Sequence, residues 1–383
     1  MRILVVNLLR IGDIILSTPV LQGLREKHPD AEIHLLINRQ CQAVVPMLKG
    51  VDCVHYFERT LIQNSLGESD RTMFEGFDRV RSLVAELDSQ EFSLLVNLTQ
   101  NRLSAWLCGL LHVPQILGLH FDDRGLPQFG SRWFKYLNDQ AEWEGERAFH
   151  FADVFLYGAG LKNFRGSISL KATESGRLEA RRLLEHVEDF MVVQPLTSDL
   201  KKNWGLENFR KLIVSLREKF PNLSILVLSS PEEATLLQPW VKGIVDSGVH
   251  LAICSLEGAL SLLEQAKLLV TGDTSIKHVG VAARVPIVEL SLGSSDLFRT
   301  GSYTKGAYIV RSNENCVPCV HSQPCHRTEQ FCAKSILPEI VELVVGQILR
   351  GQHHSLRNVA EEFADEVAVF KTELDAAGFY SCH

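Results

Sequence analysis

Two doubly wound α/β domains are the architecture this chain predicts, and three observations carry that reading. Strand-like apolar runs alternate with helical periodicity along most of the chain, the order of βαβ units around a mainly parallel sheet. A strand, a Gly-Asp turn and a helix start occur twice, once around Gly12-Asp13 and once around Gly272-Asp273. The 383 residues exceed one ordinary core and suit two domains of about 150 to 190 residues each. The expected boundaries are residues 1–170, 171–351 and a tail at 352–383.

In the first half Arg2 to Val6 reads as a strand and Ile14 to Glu26 as one helix. Glu32 to Ile37 reads as a strand, Gln40 to Leu48 as a short helix and Cys53 to Phe57 as a strand. Met73 to Leu87 has helical spacing, Ser93 to Asn97 reads as a strand, Leu103 to Leu110 as a helix and Gln115 to Leu119 as a strand. Asp122 to Trp143 has weak periodicity and reads as a long loop, and Glu146 to Tyr157 as a helix. After a linker at Asn163 to Gly176, helices are expected at Arg177 to His186, Leu206 to Lys219, Pro231 to Val245, Leu260 to Ala266 and Lys277 to Ala283. They alternate with strands at Phe190 to Gln194, Ser224 to Leu228, Leu251 to Cys254, Leu268 to Thr271 and Pro286 to Leu290. In the tail, Val359, Phe363, Val367, Phe370 and Leu374 recur at helical spacing and predict a docked amphipathic helix.

Hydrophobic content of 45% and charged content of 22% belong to a soluble globular protein. A net charge of −7 argues against a general nucleic-acid binder, whose footprint is basic. The sequence contains no apolar run long enough to span a membrane, and it opens on a core strand where a signal peptide would stand, so a cytoplasmic location is expected. Five of the nine cysteines, Cys41, Cys53, Cys108, Cys254 and Cys382, stand singly and read as buried small apolar residues.

Asp13 follows the first strand in the turn Asn7-Leu8-Leu9-Arg10-Ile11-Gly12-Asp13. Ligands of open α/β sheets bind at the carboxyl ends of strands, which makes Asp13 a candidate acid or base; a helix-capping carboxylate is the alternative. Lys201-Lys202-Asn203-Trp204-Gly205 places a lysine where it can meet a phosphate, or where a surface pair begins a helix. Thr271 to His278 offers backbone N–H groups at a helix start, an anion site or a plain Asp273 or Thr274 cap. Cys316, Cys319, Cys325 and Cys332 fall within 17 residues, a spacing that fits a four-thiolate structural site for zinc or iron, with reduced free thiols as the alternative.

Asn7 to Asp13 with Thr18-Pro19, Lys202-Asn203-Trp204, and Thr271-Gly272-Asp273-Thr274 with His278 together resemble the signatures of the heptosyltransferase family of glycosyltransferases. The resemblance runs from the first strand to about Leu337. It implies the GT-B fold, two Rossmann-like domains facing across a cleft, and inverting transfer of a sugar from a nucleotide donor. Asp13 then resembles the base that takes the acceptor proton, flanked by Arg10 and Gly12 in the binding loop. Lys202 and the N–H groups around Thr274, Ser275 and Ile276 would stabilise the departing diphosphate without a metal ion, Asp273 would hold sugar or ribose hydroxyls, and His278 would steady the loop. Family members commonly have glycine where Ser275 stands, proline where Gly205 stands and an apolar residue where Lys277 stands, and the loop Pro195-Leu196-Thr197-Ser198 lacks the usual glycine.

The resemblance implies ADP-heptose as donor and a lipopolysaccharide inner-core sugar as acceptor, with peripheral contact at the inner face of the membrane and no nucleic-acid partner. Two alternatives stand beside it: a protein heptosyltransferase acting on an autotransporter hydroxyl, and a catalytically silent GT-B scaffold that only binds a nucleotide sugar. A dinucleotide-dependent oxidoreductase is disfavoured, because Asn7 to Asp13 supplies one glycine where that fingerprint needs three.

Overall fold

The computed structural model describes residues 1–62, 73–139, 148–321, 323–352, 361–376 and 378–383. The chain divides into two compact units, Met1–Lys171 and Ala172–His383. Each is an α/β unit built on a mainly parallel sheet.

In the first unit the sheet runs β3 (Cys53–Phe57), β2 (Glu32–Asn38), β1 (Arg2–Asn7), β4 (Leu94–Asn97), β5 (Ile116–Leu117), all parallel. The run Ile3 to Val6 is fully buried, as a strand covered on both faces requires. Connections reverse direction between β1 and β4, so the switch point of this sheet lies beyond Asn7 and Asn97. The predicted helix Ile14 to Glu26 is two helices, Ile11–Leu16 and Thr18–Lys27. Pro19 lies in the first turn of the second, where its missing N–H costs nothing, and Ser17 turns its hydroxyl back onto the Ile14 carbonyl at 2.8 Å. The predicted loop Asp122 to Trp143 carries β7 (Pro127–Gln128), paired with β6 (His120–Phe121) just before the loop, and a helix at Arg132–Asp139; residues 140–143 fall outside the described residues. The Gln40 to Leu48 helix is a 3₁₀ segment, Arg39–Met47, in keeping with Pro46 inside it.

The second unit has an eight-stranded sheet. Its order is β10 (Val249–Ile253), β9 (Ser224–Ser229), β8 (Phe190–Gln194), β11 (Leu269–Gly272), β12 (Ile287–Ser291), β13 (Tyr308–Ser312), β14 (Val367–Leu374), β15 (Tyr380–Cys382). The first six are parallel, and the switch point falls between β8 and β11. The helix Leu206–Lys219 packs Phe209, Leu212, Ile213 and Leu216 into a core with Met191, Val193 and Val270, and Pro338–Leu349 adds Ile340, Val341 and Val344 to it.

The tail corrects the predicted helix over its described part. Val367–Leu374 pairs antiparallel with β13, which would otherwise be the parallel edge, and Tyr380–Cys382 pairs with it in turn. Val, Phe and Thr favour the pleated surface, and an edge with unpaired N–H and C=O groups draws such a segment into the sheet despite its helical spacing. Val359 lies outside the described residues.

Candidate functional site

The loop after β1 is held by buried amides. Asn7, fully buried, donates from Nδ2 to the Asp13 carbonyl and the Ser17 hydroxyl, each at 3.2 Å. The Leu8 N–H donates to Thr99 Oγ1 at 2.8 Å, which ties the loop to the end of β4 across the switch point, and Asn38 Nδ2 donates to the Leu8 carbonyl. On this frame Asp13, half-buried, is the third residue of the helix Ile11–Leu16, and its Oδ2 accepts the Arg10 backbone N–H at 3.1 Å. Arg10 is exposed and Gly12 half-buried beside it. Burial first, and then the Asp13 charge, push the neighbouring Cys41 thiol up to about 11. The carboxylate therefore caps its helix, as one sequence reading expected, while standing at the switch point of its sheet, as the other required.

In the second unit the two lysines of the predicted phosphate motif part company. Lys201 Nζ donates to the carbonyls of Val320, His321 and Gln323 at 2.9, 2.9 and 2.6 Å, a structural clamp on that loop. Lys202 Nζ meets Asp273 Oδ2 at 2.6 Å, joining the loop after β8 to the turn after β11 at the switch point. Trp204 is an anchor: its indole is buried and donates to the Ile336 carbonyl at 2.7 Å. Gly205 stands at φ +98°, a conformation closed to proline, whose ring holds φ near −65°. We expect Gly205→Pro to destabilise the unit by about 3 kcal/mol or more, by forcing the start of Leu206–Lys219 out of register; urea melting with less than about 1 kcal/mol of change would show that this turn is pliable.

Lys277, fully buried in the helix Ser275–Ala283, was legible only as a departure from an apolar position. Its ammonium uses all three donors: Asp273 Oδ1, Glu289 Oε1 at 3.0 Å and the Thr300 carbonyl at 2.8 Å. Glu289 is buried within β12, and its other oxygen accepts the Ser302 N–H at 2.9 Å and hydroxyl at 2.8 Å. Burial would lift the Asp273 carboxyl, but Lys277 and Lys202 outweigh it and hold the group well below its ordinary range. Burial raises Glu289 against the pull of Lys277, and Lys277 itself is raised, burial being overcome by its two carboxylates. Lys202, Asp273, Lys277 and Glu289 thus form one chain of alternating charges, fully buried at its Lys277–Glu289 end.

Thr274 caps the helix Ser275–Ala283 by accepting the Ile276 N–H at 3.1 Å, so that one of the predicted anion donors already has a partner. Ser275 and Ile276 are half-buried and His278 is buried. Gln194, which sequence reading did not single out, accepts from Thr271 Oγ1 at 3.0 Å and Thr274 Oγ1 at 3.4 Å. A polar residue closing an otherwise apolar strand, Phe190–Gln194, was the available signal.

The four-cysteine metal site is corrected. Among the described residues the one group of His, Cys, Asp and Glu ligand atoms close enough to share an ion is His34, Cys53 and His55, two histidines and one cysteine. Cys316, Cys319, Cys325 and Cys332 do not form such a group. Burial, and then Cys316, Cys332 and Cys325 nearby, push the Cys319 thiol up to about 11. The loop is held by protein contacts instead: Lys201 binds three of its carbonyls and the Cys319 N–H donates to the Gly293 carbonyl at 2.7 Å. Cys53 also departs from expectation, being half-buried and beside a histidine.

Two Rossmann-like units, each with a polar cluster at its switch point, are the two units of the GT-B fold. A model of glycosyltransferase family 9 (heptosyltransferase) matches residues 80–328. The chain belongs to this family. It is 23% identical over 296 residues to lipopolysaccharide heptosyltransferase 3 of Escherichia coli (strain K12), which covers 74% of this chain and 80% of that protein. In fold it is similar to E. coli ADP-heptose lps heptosyltransferase II (16% identity, 92% of this chain and 100% of that chain, TM-score 0.65). It is also similar to a glycosyl transferase family 9 structure from Veillonella parvula DSM 2008 (21% identity, 79% and 83%, TM-score 0.62). Among the described residues no helix is long and apolar enough to cross a membrane.

Proposed function

We propose that this chain transfers heptose from ADP-heptose, with inversion at the anomeric carbon, to a hydroxyl of a lipopolysaccharide inner-core sugar. The observation that carries the reading is the Lys202–Asp273 pair at the switch point of the second unit's sheet. Lys277 is fully buried with every donor engaged, whereas the Lys202 side chain keeps 15% exposure, so Lys202 is the cation placed to exchange a carboxylate partner for a diphosphate. As the bond to the sugar breaks, charge grows on the leaving ADP, and a positioned ammonium stabilises it most at that moment. Asp13 accepts the proton of the attacking hydroxyl. Arg10 and Gly12 shape the loop around it, and Asp273, Thr274, Ser275, Ile276 and His278 form the donor loop.

The lipopolysaccharide acceptor is supported by the names of the E. coli relatives. An acceptor of this kind calls for peripheral contact with the cytoplasmic face of the membrane. Lys202→Ala tests the donor half. Losing a charge-assisted contact worth about 1.5–3 kcal/mol should weaken ADP binding and slow transfer together by about 10- to 150-fold. Asp273 keeps Lys277, so folding should hold. Unchanged ADP affinity by calorimetry would remove Lys202 from the site.

A further inference from the structure

We propose that His34, Cys53 and His55 form a zinc site that fastens the edge strand β3 to the first unit's sheet. The backbone sets it up. His34 on β2 is opposite Cys53 on β3, and Leu36 is opposite His55, so residues two apart on adjacent strands present all three side chains to one face. His34 Nδ1 and His55 Nε2 are 2.8 Å apart, Cys53 Sγ is 3.8 Å from His55 Nε2, and the three ligand atoms lie within 4.8 Å of one another. Both histidines are buried.

The outer ring nitrogens decide what lies between the inner ones. His55 Nδ1 is 2.8 Å from Glu86 Oε1, and His34 Nε2 is 3.3 Å from Glu32 Oε1. Glu86 favours the N–H on His55 Nδ1, which turns the His55 Nε2 lone pair inward; without a metal that nitrogen accepts the His34 Nδ1–H, and with the His34 proton moved to Nε2, on the side of Glu32, both inner nitrogens offer lone pairs to a cation. Zinc-bound histidines carry a carboxylate on the far ring nitrogen, as His55 carries Glu86, and two nitrogens with one thiolate suit zinc. With zinc–nitrogen bonds of about 2.0 Å, tetrahedral geometry separates two nitrogens by about 3.3 Å, so the pair opens by about 0.5 Å to admit the ion. Binding would release the Cys53 thiol proton to solvent and leave one position for water.

The site is structural. His34 is opposite Leu4, three residues before the Asn7 end of β1, which places it about 10 Å along the strand from the Asp13 loop. Phe92 closes it with edge-on contacts to both rings, 5.0 and 6.5 Å between centroids.

The test uses the full chain, stripped of metal with a chelator under reducing conditions and titrated with Co²⁺ and Zn²⁺. One equivalent of Co²⁺ should give a thiolate-to-cobalt charge-transfer band, and Zn²⁺ should displace it and raise the melting temperature. The band should vanish in Cys53→Ser. Affinity should fall at least about tenfold in Glu86→Gln, which alters only the exposed partner behind His55 and leaves a folded protein. A band that survives Cys53→Ser, or the lack of any band or melting shift in wild-type protein, would overturn the assignment.

Discussion

Asp13→Asn should lower transfer by a factor of about 10² to 10⁴ while ADP-heptose affinity stays close to wild type. The asparagine carbonyl can still accept the Arg10 N–H that Asp13 Oδ2 accepts at 3.1 Å, and the buried Asn7 still binds the backbone of residue 13, so the loop should keep its shape. What disappears is the basic oxygen. Single-turnover rates with saturating donor separate this from a binding defect, and activity within threefold of wild type would remove Asp13 from the mechanism.

Lys277→Met should destabilise the second unit by about 3–5 kcal/mol, because it leaves Glu289 and one oxygen of Asp273 buried without their cation. For a unit of this size, that is a fall of about 6–20 °C in melting temperature. The pH dependence carries a definite sign. In the wild type, Asp273 is held below its ordinary 3.8, so its contribution is complete above that pH and is lost as pH falls toward the depressed value. Glu289, raised above 4.5, contributes in the opposite sense, fully below 4.5 and less as pH rises through its folded value. Removing Lys277 lifts both carboxyls, so the folded variant binds more protons than the unfolded chain, and its deficit should shrink as pH is lowered from 7 toward 5. Adding Glu289→Gln should recover part of the loss, since an amide keeps contact with Ser302 without a charge. A deficit under about 1 kcal/mol at pH 7, or one that grows on acidification, would contradict the account of this chain of charges.

The parallel framework was legible because its strands are continuous apolar runs. Cys53–Phe57, Phe190–Gln194 and the helix Leu206–Lys219 lie where periodicity placed them. Asp13 and Lys202 stood out as candidates because they follow apolar strands, and both strands end at switch points. The tail was misread since its spacing serves a helix and a strand alike, and only the free edge of β13 decides between them. Lys277 showed as an anomaly without a cause, because Glu289 is an acid inside a buried strand 12 residues away. The cysteine cluster misled through spacing alone. Distance along the chain does not report that Lys201, more than 100 residues earlier, already orders that loop. His34 and His55 escaped notice because ligands on adjacent parallel strands have no fixed sequence separation, although Cys53-Val54-His55 puts two ligand types on one strand face.

Acceptor-dependent ADP release tests the proposed donor and acceptor together. Purified protein is given ADP-heptose with lipopolysaccharide core that lacks the heptose to be added, and matched reactions contain an unglycosylated autotransporter passenger or no acceptor. ADP release, with a mass increase of one heptose, is expected only with the lipopolysaccharide core. Release with the protein acceptor alone, or none with any acceptor while ADP-heptose binds, would contradict the proposal.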